Sequence, residues 1–171
     1  MGVFKHIGIV AWPTSEAIMF GFLVLSAGFE LVFPISLDPR VESWLVIAGG
    51  VLFVEGVWLL LQAKKDLKAG LSCSEEGAGK KLVHSGVYAL SRNPIYVSNF
   101  LMLASFALWG LYWLALLLPI IIFVYWKALV QPEERFLSQR YDVAYDLYVA
   151  HTPRWFQWKL LNPFGYRQVR T

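Results

Sequence analysis

Residues 95–130 read IYVSNFLMLASFALWGLYWLALLLPIIIFVYWKALV, and this stretch decides the fold. It holds no acidic residue, and Lys127 is its one cation. A helix crossing hydrocarbon needs about 20 apolar residues, so the run is too long for one span. It is broken at Trp109-Gly110-Leu111-Tyr112. We read a tight hairpin of two short spans, 95–109 and 112–130, with Pro119 bending the second. Two apolar runs precede it, at about 15–37 and 42–63. The first lacks the basic flank and small-residue cleavage site of a signal peptide and reads as a retained span. The expected fold is therefore an all-α integral membrane protein with four transmembrane helices.

Composition agrees. Of 171 residues, 57% are hydrophobic and 16% charged, and the mean hydropathy is +0.52. Soluble domains average roughly 45–50% apolar and 25% charged. These values exclude a disordered chain, a coiled coil and a water-soluble globule, and the length suits one domain over residues 1–171. The formal charge of +3 and the pI near 9.0 do not indicate nucleic acid, because no basic stripe is interleaved with aromatic residues. Cys73 is the single cysteine, so there is no internal disulfide and no thiolate cluster, and no metal site is expected.

Charge sets the topology. Lys64, Lys65, Lys68, Lys80, Lys81 and Arg92 crowd the segment between the second and third spans. The first connection has only Arg40, between Asp38 and Glu42, and the hairpin tip is uncharged. Basic connections stay cytoplasmic, which places both termini on that side of a multi-pass protein. Trp12, Trp44, Trp109, Tyr112 and Trp113 fall near span ends, where such rings prefer to sit. Beyond Pro132, Leu137, Tyr141, Ala144, Tyr145 and Tyr148 recur at helical spacing. They predict one cytoplasmic amphipathic helix over 133–149, stopped by His151-Thr152-Pro153. Residues 72–79 read as a flexible linker.

The polar residues gather on the cytoplasmic side. One group runs from Lys80-Lys81-Leu82-Val83 through Tyr88 to Arg92-Asn93-Pro94-Ile95-Tyr96. Pro94 keeps Asn93 out of helical geometry and suits the first turn of the next helix. Arg92 and Asn93 are thereby presented at a helix N-terminus, a place that attracts anions. The other group is Glu133-Glu134, just after Pro132. A basic and an acidic cluster, each at a helix boundary, suit a zwitterionic ligand. Taken singly, each has a structural explanation: Arg92 as a positive-inside anchor, the glutamates as first-turn acids, the tyrosines as interface belt. Glu55 stands alone inside the second span, where a charge costs about 2.5–3.5 kcal/mol on insertion scales. It reads either as a base or substrate contact facing the bundle, or as a structural glutamate.

The order His84-Ser85-Gly86-Val87-Tyr88, Arg92-Asn93-Pro94-Ile95-Tyr96, hairpin, Glu133-Glu134-Arg135-Phe136-Leu137, Tyr141/Tyr145/Tyr148 and Pro153-Arg154 resembles the C-terminal half of isoprenylcysteine carboxyl methyltransferases. It is similar also to the related phospholipid N-methyltransferases. The resemblance spans about residues 80–156 and implies a small helical membrane enzyme that uses S-adenosylmethionine. It implies a cofactor region at 80–96 and 131–156. There Lys80, Lys81, Leu82 and Val83 would surround the adenine, and Tyr88 would line the pocket. Arg92, Asn93, Pro94, Ile95 and Tyr96 would hold the methionine end or the ribose, and Glu133 or Glu134 would accept hydrogen bonds from the cofactor. Arg92, Glu133 and Glu55 are the candidate catalytic residues.

Two positions depart from that pattern. Asn93 stands where the family has histidine, and an amide cannot shuttle protons. The isoprenylcysteine enzymes carry an arginine about one turn before the glutamate, facing the substrate carboxylate. Leu129 or Val130 occupies that place here, and the nearest cation is Lys127. The implied activity is methyl transfer to a lipidic or hydrophobic acceptor reached from the bilayer, isoprenylcysteine carboxyl methyltransferase-like or phospholipid N-methyltransferase-like. Membrane lipids are the expected partners. The rivals from other classes are an NADPH-dependent membrane reductase and a non-catalytic membrane scaffold.

Overall fold

Gly110 makes the break in the long apolar run. Its φ of +114° is open to glycine and closed to most side chains, and it turns the chain between two helices. The computed structural model describes residues 11–72 and 82–156, and no strand occurs among them. The helices are α1 (Ala11–Val32), α2 (Pro39–Ser72), a 3₁₀ turn (Gly86–Ala89), α3 (Pro94–Leu108), α4 (Tyr112–Tyr125), α5 (Gln131–Tyr141) and α6 (Val143–His151). A π-helical turn, Trp126–Val130, joins α4 to α5 without interruption.

Three helices are long and apolar enough to cross a membrane: Thr14–Val32, Pro39–Gly70 and Tyr112–Tyr141. The hairpin's first arm, α3, is the shorter at 15 residues, a rise of about 22 Å at 1.5 Å per residue.

Several expected boundaries move. The first run ends as helix at Val32, not residue 37, and the Ile35 N–H beyond it donates to Glu30 Oε1 at 2.8 Å. The second continues as helix to Ser72, so Lys64, Lys65 and Lys68 ride on α2 and not in a loop. These long side chains are good helix formers, and extra turns outside the apolar run cost nothing in hydropathy. The helix also runs through Pro119, and the change of winding comes at the π turn instead. Pro132 explains it. A proline lacks its N–H and presses on the carbonyl four residues back, here Ala128. The wider π turn accommodates this, with the Gln131 N–H reaching the Trp126 carbonyl. The single amphipathic helix expected over 133–149 is two helices, because Asp142 takes φ 43° and ψ −121°. Its N–H closes α5 on the Ser138 carbonyl, and its carbonyl opens α6 by accepting from the Tyr145 N–H. Of the predicted apolar face, Tyr145 and Tyr148 are buried, Leu137 and Tyr141 half-buried, and Ala144 exposed.

Packing is antiparallel and close. On α2, Gly49, Gly56 and Ala63 are buried at seven-residue spacing, and on α3 Ser98 and Ser105 are fully buried. A Cβ on Gly56 would stand 3.1 Å from the Ser98 carbonyl oxygen. Small residues here let the two backbones approach, as membrane helices commonly require. Besides α3, α4 packs on α1: Trp113 Nε1 donates to the Phe33 carbonyl at 2.8 Å, and Tyr125 Oη donates to the Ser15 carbonyl at 2.7 Å. Between these contacts lies a core of Leu103, Ala107, Leu114, Ile121 and Tyr125. The polar groups are left at the end of the bundle where α2, α3, α5 and α6 meet.

Candidate functional site

Pro94 begins α3 with its ring fully buried, and Asn93 precedes it at φ −131°, ψ 54°. The loop this creates, 91–93, is clasped by the chain just after α6. The Arg92 N–H donates to the Pro153 carbonyl at 3.0 Å. The Arg154 carbonyl accepts both from Ser91 Oγ at 3.2 Å and from Asn93 Nδ2 at 3.0 Å. Asn93 therefore serves as a staple between the start of α3 and the C-terminal segment.

The clasp brings together the two motifs that the sequence keeps apart. Arg92 Nη1 lies 3.1 Å from Glu134 Oε1. Arg154 grips the same carboxylate, with Nη2 at 2.7 Å from Oε2 and Nε at 3.0 Å from Oε1. The Arg92 and Glu134 side chains are only 11% and 14% exposed. Hydrogen bonding to Glu134 raises the Arg154 pKa further above its ordinary value. The basic and acidic clusters are thus joined directly, and Glu134 spends both oxygens on guanidinium groups.

Its neighbour does not. Among the described residues, Glu133 accepts a hydrogen bond from Tyr96 Oη to Oε2 at 3.0 Å. Tyr88 lies near it: burial, and then the Glu133 carboxylate, push that phenol well above its usual pKa. Tyr148 is pushed up by burial and then by Tyr145, and it donates to the Tyr88 carbonyl at 2.7 Å. These tyrosines stay neutral donors at physiological pH. From below, Asp66 Oδ2 on α2 accepts the Val87 N–H at 2.9 Å, fixing the 3₁₀ turn that carries Tyr88.

Leu82 and Val83 lead into that turn half-buried, and Ile95 is half-buried on the first turn of α3. Lys80 and Lys81 lie outside the described residues, as do most of the 72–79 linker and the tail beyond residue 156. Glu55 is exposed on α2, beside the buried Gly56. Asp66, Tyr148 and Arg154 were not singled out for the site. Asp66 had one signal, an acid set among Lys64, Lys65 and Lys68. Arg154 had its place after the Pro153 stop, in the Pro153-Arg154 pair that closes the family-like pattern. Among the described residues, no group of His, Cys, Asp and Glu is arranged to hold a metal ion.

A family model described as phospholipid methyltransferase matches residues 44–144, more than half of the chain. This chain belongs to the phospholipid methyltransferase family. No curated protein and no solved structure matches it. The family match takes in both Arg92–Tyr96 and Glu133-Glu134, together with the hairpin between them. Arg154, which ties the two motifs, lies beyond it. As a phospholipid methyltransferase family member with three long apolar helices, the protein is a membrane methyltransferase.

Proposed function

We propose that the chain transfers a methyl group from S-adenosylmethionine to the amine of a membrane lipid head group. One observation carries the reading: Glu133 sits at the end of an apolar helix, held by the Tyr96 hydroxyl and close enough to Tyr88 to raise its pKa, and its oxygens, unlike those of Glu134, meet no guanidinium among the described residues. A sulfonium, an ammonium or a reacting amine all call for a carboxylate with aromatic neighbours. Leu129 and Val130, where the isoprenylcysteine enzymes place an arginine, are buried in the core. Neither position offers a cation to a carboxylate acceptor, and this favours an amine over an isoprenylcysteine carboxylate.

The residues present fit the cofactor. Leu82 and Val83 offer half-buried apolar surface for a base. Tyr88, Tyr96 and Glu133 offer the partners a cation needs. When bound, the cofactor supplies an electrophilic methyl group. Glu133 takes the proton that an ammonium acceptor must shed, and Tyr96 holds that carboxylate in place. Arg92 acts through Glu134 as a positioning residue, fixing the first turn of α5 and hence Glu133. Asn93 and Pro94 hold the start of α3 against Arg154. Positioning is the main catalytic task, because methyl transfer is an in-line displacement.

The topology is part of the proposal. Antiparallel pairing of α1 with α4 and of α2 with α3 supports α3 as a fourth, short span, with both termini cytoplasmic. Lys64, Lys65 and Lys68 then lie on the side from which soluble cofactor arrives. Calorimetry on the purified protein tests the assignment. S-adenosylmethionine and S-adenosylhomocysteine should bind, and NADPH should not. NADPH binding would make the chain a reductase, and binding of none of the three would make it a scaffold.

A further inference from the structure

A groove of about 420 Å³ opens beside Glu134, with Arg92, Arg135, Arg154, Ser138 and Tyr145 in its walls. Three guanidinium groups face a single carboxylate, and Glu134 is already bridged by two of them. The excess is positive. Gln131 and Gln139 add neutral donors at the rim.

Among the described residues, two donors in this wall lack an acceptor. Tyr145 is only 4% exposed, and its hydroxyl has no hydrogen-bond partner. Arg92 Nε is buried and equally unpartnered. Arg92 lies beside the Tyr145 hydroxyl but outside hydrogen-bonding geometry with it. Even if Tyr145 Oη accepted from Arg92 Nε, the proton of the hydroxyl itself would still need an acceptor in the groove. A buried donor without an acceptor is costly to keep, and two in one wall of a basic groove call for an anion with several acceptor oxygens.

We infer that this groove is a phosphate-ester site. A tetrahedral phosphate can accept from Tyr145, Arg92 Nε and the forked Arg135 at once, whereas a planar carboxylate serves fewer directions. The groove is built on α5, immediately past the apolar length of α4, at the level where lipid head groups lie. Glu133 is the residue next to Glu134 on the same first turn. A phosphate held in the groove places the amine of a short head group within reach of Glu133. This rests on the reading above, and it adds which part of the lipid is gripped and by which residues.

The full-length protein in detergent is titrated with three probes: dihexanoyl phosphatidylethanolamine, dihexanoylglycerol and inorganic phosphate. The phosphate-bearing lipid should bind at least about tenfold more tightly than dihexanoylglycerol, the gain typical of charged hydrogen bonds. Inorganic phosphate should compete with it, but more weakly than the lipid. Arg135→Gln and Tyr145→Phe should each weaken the lipid by about tenfold while S-adenosylhomocysteine affinity stays within about twofold. Arg135 is exposed, so its variant should keep the wild-type unfolding midpoint. Equal binding of dihexanoylglycerol would overturn the inference. So would inorganic phosphate binding as tightly as the lipid, which would assign the groove to free phosphate. A loss of S-adenosylhomocysteine matching the loss of lipid would assign it to the cofactor's carboxylate and also overturn it. None of these readouts requires methyl transfer, so failure of the groove is separable from failure of the methyltransferase reading.

Discussion

Glu133→Gln should lower methyl transfer by about 10²–10⁴-fold, the contribution typical of a positioned general base. The amide keeps an oxygen that can accept from Tyr96 Oη, so the 3.0 Å contact has a replacement and the helix start is preserved. What it loses is the capacity to take a proton and the negative charge that attracts a sulfonium. The unfolding midpoint should therefore stay close to wild type while turnover collapses. Tyr96→Phe should be milder, because it frees the carboxylate without removing it. Turnover of Glu133→Gln within a few-fold of wild type would remove Glu133 from the chemistry. It would also return attention to Glu134, whose oxygens are otherwise committed.

Glu134→Ala should have the largest effect on stability. It strips the counter-ion from Arg92, whose side chain is only 11% exposed, and from Arg154, which is 37% exposed. Breaking a buried pair by deleting one partner costs about 3–5 kcal/mol. Solvent screening of Arg154 puts the expected loss nearer the lower end. Arg154→Ala should cost less than Glu134→Ala, because Arg92 would remain paired and Arg154 is the exposed partner. The backbone clasp at the Pro153 and Arg154 carbonyls does not depend on that side chain. Denaturation of Glu134→Ala, Arg154→Ala and the double variant measures the coupling. A loss for Glu134→Ala no greater than for the exposed Asp146→Ala would show that the network contributes nothing to the fold.

The hairpin was legible in the sequence because its cause is local: Gly110 has a backbone that other residues avoid, and it interrupts an otherwise unbroken apolar run. The same holds for Pro94, whose effect on Asn93 reaches one residue. The extension of α2 through Lys64–Lys68 was missed because hydropathy marks where a membrane ends and not where a helix ends. The split at Asp142 has no signal in the apolar period, which runs on from Leu137 to Tyr148 regardless. The site divides in the same way. Arg92, Tyr96 and the glutamate pair stood out as charged or aromatic residues at helix boundaries. That Arg92 meets Glu134, and Tyr96 meets Glu133, depends on the hairpin folding back and on the π turn setting the phase of α5. Arg154 was legible only as the end of the Pro153-Arg154 pair, since its role comes as much from its backbone carbonyl as from its side chain. Glu55 was the opposite case: an intramembrane charge is a fair functional signal, and the phase of α2 leaves it exposed beside a buried glycine, a placement the sequence did not give.

The most direct test of the central claim is transfer of a labelled methyl group. The purified protein is reconstituted into vesicles containing phosphatidylethanolamine and given S-adenosylmethionine labelled at the methyl, alongside Glu133→Gln in matched vesicles. The expected result is label in the lipid fraction, carried on the head-group nitrogen, with little or none from the variant. Label on no lipid at all, from protein that is folded and binds the cofactor, would contradict lipid methylation by this site.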